Sequence, residues 1–278
     1  ILHLISYLND FIQYFIIKIY MLPKIFKPNN EYELIRLGSD NDGGYLVELD
    51  SLENSKRLVS FGLGLNWSFE KDFFRLKNCP IDCYDHTIKY SMIKKISRKN
   101  ILNFFKIKNL LDFNSFEKNF RSIFLYDDYK KFFSGIKNHH ENAIGIGRNK
   151  KNLKEIINKI DISPIFFKID IEGSEYRILD DILKFQYLIS GLVIEFHDID
   201  NHKEKIINFI KNFKLNLCHI HGQNPGGSEY TDDNGDPIQI EMTFTNSLNI
   251  KSKNYKIPHK LDQPADNRFS DIILNFEK

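Results

Sequence analysis

Cysteine is scarce in this chain: three in 278 residues, Cys79, Cys83 and Cys218. An odd count with no second spaced pair argues against a disulfide framework and a zinc ribbon. It points instead to a reducing compartment, with Cys79 and Cys83 as core thiols flanking a strand. Charge of one sign is also missing. Lys plus Arg is 39 against 37 for Asp plus Glu, a net charge of +2. No basic arm stands out, so nothing pulls the chain toward nucleic acid. There are no internal repeats and no linker rich in Pro and Ser. A signal peptide is not expected either, since a basic start and a small-residue cleavage site are both lacking. The chain opens on Ile1, and Met21 is its first methionine, which leaves the natural start open.

Residues 1–30 are read as an amphipathic helix. Ile1, Ile5, Leu8, Ile12, Phe15 and Ile19 recur at spacings of four and three, and Pro23 and Pro28 end the segment. Polar residues interrupt the stripe, which makes it a poor transmembrane span. It packs on its own domain or a partner chain, or it serves as a membrane-surface contact or homodimer seam. Residues 31–278 are read as a single domain in a cytoplasmic protein, with peripheral membrane contact as the alternative.

What the chain does contain is the alternation of an α/β protein. Residues 33–50 read as strand, turn, strand around Asp40-Asn41-Asp42-Gly43-Gly44. Core strands are expected at 58–63, 81–84, 164–170, 191–196 and 215–221, with helices at 67–77, 152–160, 175–183 and 202–213. Residues 101–140 give no clear pattern. Alternation implies a mostly parallel sheet with helices on both faces. Two late strands, 238–245 and 270–276, have no helix between them and suggest an antiparallel edge pair.

Ligands in such sheets bind beyond the C-terminal ends of the strands, so the informative residues stand just after each strand. The first strand runs into Gly62-Leu63-Gly64, a turn whose backbone N–H groups suit an anion at a helix start; Asn66 and Ser68 follow. Asp85 ends the second strand, where a ribose diol is held, and His86 adjoins it. Asp170 and Glu172, then His197 and Asp198, then His221, Gln223 and Asn224 follow the later strands. A purely structural protein has no need of two histidines and several carboxylates along one rim. His197 or His221 is the candidate general base, and Asp170 would orient it or cap the next helix. Either histidine also has a plain reading as a cap or core residue. A divalent ion is an alternative, for which Asp170, Glu195, His197, Asp198 and His221 could supply oxygen and imidazole ligands, Asp170, His197 and His221 foremost. Of His139 and His140, at least one is expected on the surface.

The polar segment 222–237 is either a solvated connection or an acceptor-binding lid. Gln223 and Asn224 offer amides that suit sugar hydroxyls. Asp42, Tyr45 and Arg36 reach toward the same rim from the hairpin, and Arg36 or Arg268 would suit a phosphate on the acceptor.

Several segments resemble a known family. Ser60-Phe61-Gly62-Leu63-Gly64 with Ser68-Phe69-Glu70, Tyr84-Asp85-His86-Thr87, and Lys168-Ile169-Asp170-Ile171-Glu172-Gly173-Ser174-Glu175 resemble FkbM-like S-adenosylmethionine-dependent methyltransferases. Asp42-Gly43-Gly44-Tyr45, His219-Ile220-His221-Gly222-Gln223-Asn224 and Leu261-Asp262-Gln263-Pro264 are similar to the branch found in bacterial glycan and capsule gene clusters. The resemblance implies a Rossmann-like class I methyltransferase fold and S-adenosylmethionine as cofactor. The cofactor would lie against Gly62, Gly64, Asn66, Ser68, Asp85, His86, Asp170 and Glu172. It also implies a sugar or nucleotide-sugar hydroxyl as acceptor, in capsule or lipopolysaccharide synthesis, met by Asp42, Tyr45, Gln223 and Asn224. A reading of another class is a non-catalytic scaffold of a membrane-associated glycan assembly complex. An NAD-dependent enzyme shares Gly62, Gly64 and Asp85 but lacks the third glycine of the dinucleotide fingerprint, where Trp67 stands.

Overall fold

A computed structural model describes residues 22–104, 124–148, 150–225, 230–232 and 235–277. Residues 1–21 of the helix expected over residues 1–30 lie outside the described residues; the only helical element of the remainder is a 3-10 turn, Lys24–Phe26. Within the described residues, no helix is long and apolar enough to cross a membrane.

The strands are β1 (Leu34–Gly38), β2 (Gly44–Glu48), β3 (Arg57–Phe61), β4 (Ile81–Tyr84), β5 (Lys137–His140), β6 (Ala143–Ile144), β7 (Lys150–Lys151), β8 (Ile165–Ile169), β9 (Ile189–Phe196), β10 (Asn216–Gly222) and β11 (Ile240–Thr245). The helices are α1 (Leu49–Asn54), α2 (Ser68–Lys77), α3 (Tyr90–Phe104), α4 (Leu125–Phe132), α5 (Leu153–Ile157), α6 (Leu179–Phe185) and α7 (Ile199–Asn212). Seven strands form the central sheet in the order β10-β11-β9-β8-β3-β4-β5. Its neighbours are parallel except at β11, which runs antiparallel to both β9 and β10. This is a mixed, mostly parallel sheet of Rossmann-like α/β type.

The antiparallel edge differs from expectation. Ile240–Thr245 pairs with Asn216–Gly222 rather than with a strand at 270–276. Residues 270–276 run as irregular chain, joined to the start of the described protein by a Leu22–Phe276 bridge. The helix expected over 175–183 is a 3-10 turn at Glu175–Arg177 followed by α6. The unparsed stretch contributes the outer strand β5, with α4 beside it.

Burial explains the near-continuous apolar runs. All five residues of β8 and all eight of β9 are buried, because layers cover both sheet faces. Side chains alternate between those faces. Phe61, Phe167, Ile194 and Phe196 enter one core. Leu58, Phe166 and Val193 enter the other, beneath the β1–β2 hairpin and α2. On that second face, two residues nearer the rim, stand Ser60, Lys168 and Glu195, all buried. The face is therefore apolar at its base and polar at its top, and this polar top is the floor of the candidate site.

Candidate active site

The sheet order reverses direction between β3 and β8, the switch point at which open α/β sheets hold ligands. A cleft of about 490 Å3 lies there, within the range of small-molecule sites. It is bounded by the Gly62–Asn66 turn, Tyr84–Thr87, Asp170–Glu172, Asp42 and Tyr45 of the hairpin, and Asn142–Ile144 with Lys150 on the far wall. At Gly62, φ is +80°, and an added Cβ would lie 1.5 Å from the Asp170 carbonyl oxygen. Only glycine lets the two strand ends approach this closely.

Of the expected site residues, the cleft gathers Gly62, Gly64, Asn66, Asp85, His86, Asp170, Glu172, Asp42 and Tyr45. Several do other work than expected. Asp85 Oδ2 accepts from the Leu63 and Gly64 amides at 3.0 and 2.9 Å, and Oδ1 accepts from the Thr87 amide and hydroxyl at 2.7 and 2.6 Å. Its four acceptor positions brace the turn, so neither the turn amides nor the carboxylate is free for a ligand in this arrangement. Burial works against ionisation of Asp85, but those hydrogen bonds hold its carboxyl below the usual range. Asn66 Oδ1 accepts from the Ser68 amide at 3.2 Å and Nδ2 donates to Ser39 Oγ at 2.8 Å. Ser68 Oγ also pairs with Ser39 Oγ, at 2.9 Å, and Ser68 does not line the cleft. Asn66 and Ser68 thus tie the helix start to the hairpin.

Neither histidine is a free base. Burial opposes the charge of His197, but the hydrogen bond to Glu175 and the nearby Glu195 and Asp170 lift its pKa to about 9. Glu175, fully buried, accepts from the His197 amide at 2.8 Å and faces its Nδ1 at 3.1 Å. Nε2 meets Glu172 at 3.5 Å, Glu195 at 3.7 Å and Asp170 at 4.0 Å. His221 is buried away from the cleft. Burial opposes its charge as well, but Asp271, 2.9 Å from Nε2, and Glu241 raise it to about 10. At neutral pH both are protonated members of ion pairs and not proton acceptors.

The acceptor-side expectations also change. Gln223 is buried and donates to Glu241. Asn224 is buried, donates to the Ser270 carbonyl at 2.7 Å and accepts from the Asp266 amide at 3.2 Å. Asn224 fastens the irregular C-terminal chain that replaces the expected edge strand, and Gln223 is tied to the neighbouring strand β11. Arg36 spends its Nη2 on the carbonyls of Asn41 and Ser39, at 2.7 and 3.3 Å. Arg268 pairs with Asp266. His139 and His140 are both half-buried, and His140 pairs with Asp82 at 3.1 Å.

Asp170, Glu172 and His197 place ligand atoms within 4.8 Å of one another, without His221. Lys168 Nζ, 3.4 Å from Asp170 Oδ2, is a cation already paired with this set. EDTA is expected to leave the thermal unfolding midpoint unchanged where Lys168 alone meets that charge, which differential scanning calorimetry checks.

Lys168 and Glu70 were not among the expected site residues. Lys168 Nζ donates to the Gly62 carbonyl at 2.7 Å and lies 5.3 Å from the Tyr45 ring centre. Burial opposes its charge, but Asp170, Glu70 and Glu195 together hold the amine above its ordinary value. Glu70, buried in α2, accepts from Ser60 Oγ at 2.6 Å. Its Oε2 is buried with no hydrogen-bond partner among the described residues. Burial raises its carboxyl despite Lys168. The available signal was an ionisable residue inside an apolar strand, as in Ile165-Phe166-Phe167-Lys168, since such a charge has to be paired.

No protein-family model matches the chain, and no curated protein does. Solved structures with partial similarity include a precorrin-6y C5,15-methyltransferase from Geobacter metallireducens, 12% identical, TM-score 0.34, covering 70% of this chain and 85% of that one. An rRNA methylase from Streptococcus thermophilus is 8% identical, TM-score 0.35, covering 70% and 92%. Likeness at this level carries no argument about activity, which is argued below from the cleft.

Proposed function

We propose that the protein is an S-adenosylmethionine-dependent methyltransferase acting on a hydroxyl oxygen. The observation that supports this most is the charge of the cleft wall. Asp42, Glu70, Asp85, Asp170, Glu172 and Glu195 line it against two lysines, Lys150 and Lys168. A net anionic cleft suits a ligand bearing a sulfonium and an ammonium group, and it opposes the pyrophosphate of a dinucleotide. Glu70, with one unpartnered carboxylate oxygen, would hold the ammonium. His86 and Tyr84 border the cleft beside Asp85, where an adenosine would lie.

S-adenosylmethionine supplies an electrophilic methyl group. The chain's own residues position the acceptor and take its proton, and positioning is a large part of such a rate. Asp170 replaces the two histidines as proton acceptor. Lys168 and Tyr45 both hold its Oδ2, while Oδ1 has no hydrogen bond among the described residues. A sugar hydroxyl, free or nucleotide-linked and belonging to a surface glycan, is the acceptor that the motif resemblance favours. Asn142, Asp42 and Lys150 offer it polar groups at the cleft wall.

Calorimetric titration with S-adenosylmethionine and S-adenosylhomocysteine tests the reading. Micromolar binding is expected, weakened at least tenfold in Asp85→Ala because the glycine turn loses its brace. Absence of binding would sink the methyltransferase reading and favour the scaffold alternative.

A further inference from the structure

The geometry points to a phosphate-binding wall on the acceptor side of the cleft: Lys150, with Arg177 beside it across Gly145, holds a phosphate ester carried by the acceptor sugar. Its role as an acceptor site rests on the methyl-transfer reading; the phosphate site itself does not.

The wall is built by the β6–β7 segment. Ala143 pairs with Lys150 and Ile144 with Lys151. Between them the chain turns back on itself. The Gly145 amide donates to the Lys151 carbonyl at 3.0 Å, and the Lys150 amide to the Gly147 carbonyl at 3.1 Å. Gly145 is buried, with φ of +134°, a conformation that side-chain-bearing residues rarely adopt. The missing side chain leaves bare backbone, and two basic side chains meet over it. From the position a Cβ would occupy there, Lys150 Cδ is 3.4 Å away, Lys150 Nζ 3.8 Å and Arg177 Cδ 3.9 Å. Arg177 comes from a different element, the 3-10 turn after β8, so only the folded chain brings the pair together.

Other cations near the cleft are spent. Lys168, the second lysine that lines it, is taken by the Gly62 carbonyl and Asp170. Lys151 meets Glu155 at 3.9 Å. Arg36 and Arg268, the arginines expected to suit a phosphate, hold backbone carbonyls and Asp266. Lys150 Nζ and the Arg177 guanidinium have no hydrogen bond or ion pair among the described residues. Nor has the side-chain amide of Asn142, which lines the cleft one residue before β6.

A neutral sugar would leave both cations unmet. A phosphate brings three acceptor oxygens to two cationic donors and one amide. The acids of the cleft floor repel such a group, which leaves the Lys150 wall as the place for it. An anchor at one end of the acceptor also limits which hydroxyl can face the methyl group, and that is positioning of the kind methyl transfer needs.

Calorimetric titration with glucose 1-phosphate at low salt, with no methyl donor present, tests the assignment. The outcome is separate from that of the cofactor titration, since neither ligand is needed to bind the other. The wild type is expected to bind glucose 1-phosphate at least about tenfold more tightly than glucose or glucuronate, the size of a charge-assisted hydrogen bond. Lys150→Met and Arg177→Met are each expected to weaken that binding by about fivefold, the upper end for an ion pair open to solvent. Lys154→Met removes an exposed lysine outside the cleft and is expected to change nothing. Neither Lys150 nor Arg177 has a protein partner to lose, so both variants are expected to fold. Should one not, the other variant and the ligand preference of the wild type carry the test. Uridine diphosphate glucose in place of glucose 1-phosphate separates a nucleotide sugar from a simple sugar phosphate, and tighter binding of either supports the site. Equal binding of glucose and its phosphate overturns it, as does unchanged binding in either folded variant or an equal loss in Lys154→Met. Glucuronate binding as tightly as the phosphate overturns it too, because a carboxylate would then be the anion held.

Discussion

Asp170→Asn is expected to lower the rate of methyl transfer by roughly 10²–10⁴-fold, the usual range for losing a positioned proton acceptor. An amide keeps the shape and the hydrogen bonds from Tyr45 Oη, at 3.0 Å, and from Lys168 Nζ, at 3.4 Å, if its oxygen takes the place of Oδ2. What it cannot do is accept a proton from the acceptor hydroxyl. The affinity for S-adenosylhomocysteine, neutral at sulfur, is expected to change by less than about tenfold, so the loss falls on kcat. The measurement is S-adenosylhomocysteine formation with a sugar acceptor found by screening, set beside calorimetric binding. An undiminished kcat would remove Asp170 from the chemistry. A parallel loss of S-adenosylhomocysteine binding would make it a cofactor ligand instead.

Lys168→Met is expected to destabilise the protein by about 3–5 kcal/mol, the cost of breaking a buried charge pair from one side. For a chain of this size that is roughly 10 °C in melting temperature. Methionine fills a similar volume, so packing is not the cause. The ammonium is the partner of the Gly62 carbonyl at 2.7 Å and the charge nearest Asp170, and it offsets Glu70 and Glu195 as well. Removing it leaves these acids buried against one another on one sheet face. Thermal unfolding at neutral pH checks this, and a shift under about 2 °C would show that the network relaxes or protonates without Lys168. The double variant Lys168→Met with Glu70→Gln is expected to recover part of the loss, because one uncompensated acid is removed with the lysine.

The fold was legible because it is written in short-range pattern. Apolar runs of four to eight residues between helical stretches mark strands buried on both faces, and alternation implies parallel pairing. That places Gly62, Asp85, Asp170 and His197 on one rim before any coordinate is known. The edge was misread because Ser270–Phe276 has strand-like composition, while the strand expected to pair with it is filled on both sides. Ile240–Thr245 already pairs with both Ile189–Phe196 and Asn216–Gly222. Side-chain partners were out of reach for a related reason. His221 and His197 look alike in sequence, each closing a strand, yet one meets Asp271, 50 residues away, and the other Glu175, 22 residues away.

The sequence by itself determined the sheet, the glycine turn and the rim on which polar groups collect, since these depend on backbone freedom and on the alternation of apolar residues along the chain. Only the tertiary structure decided which of those groups are spent. Asp85 went to the turn amides, both histidines to ion pairs, Gln223 to Glu241 of the neighbouring strand, Asn224 to the C-terminal chain, and Tyr45 to two carboxyl groups that it touches from a separate hairpin. A side chain's protonation and availability depend on the few ångströms around it, and those neighbours come from strands that the sequence does not place side by side.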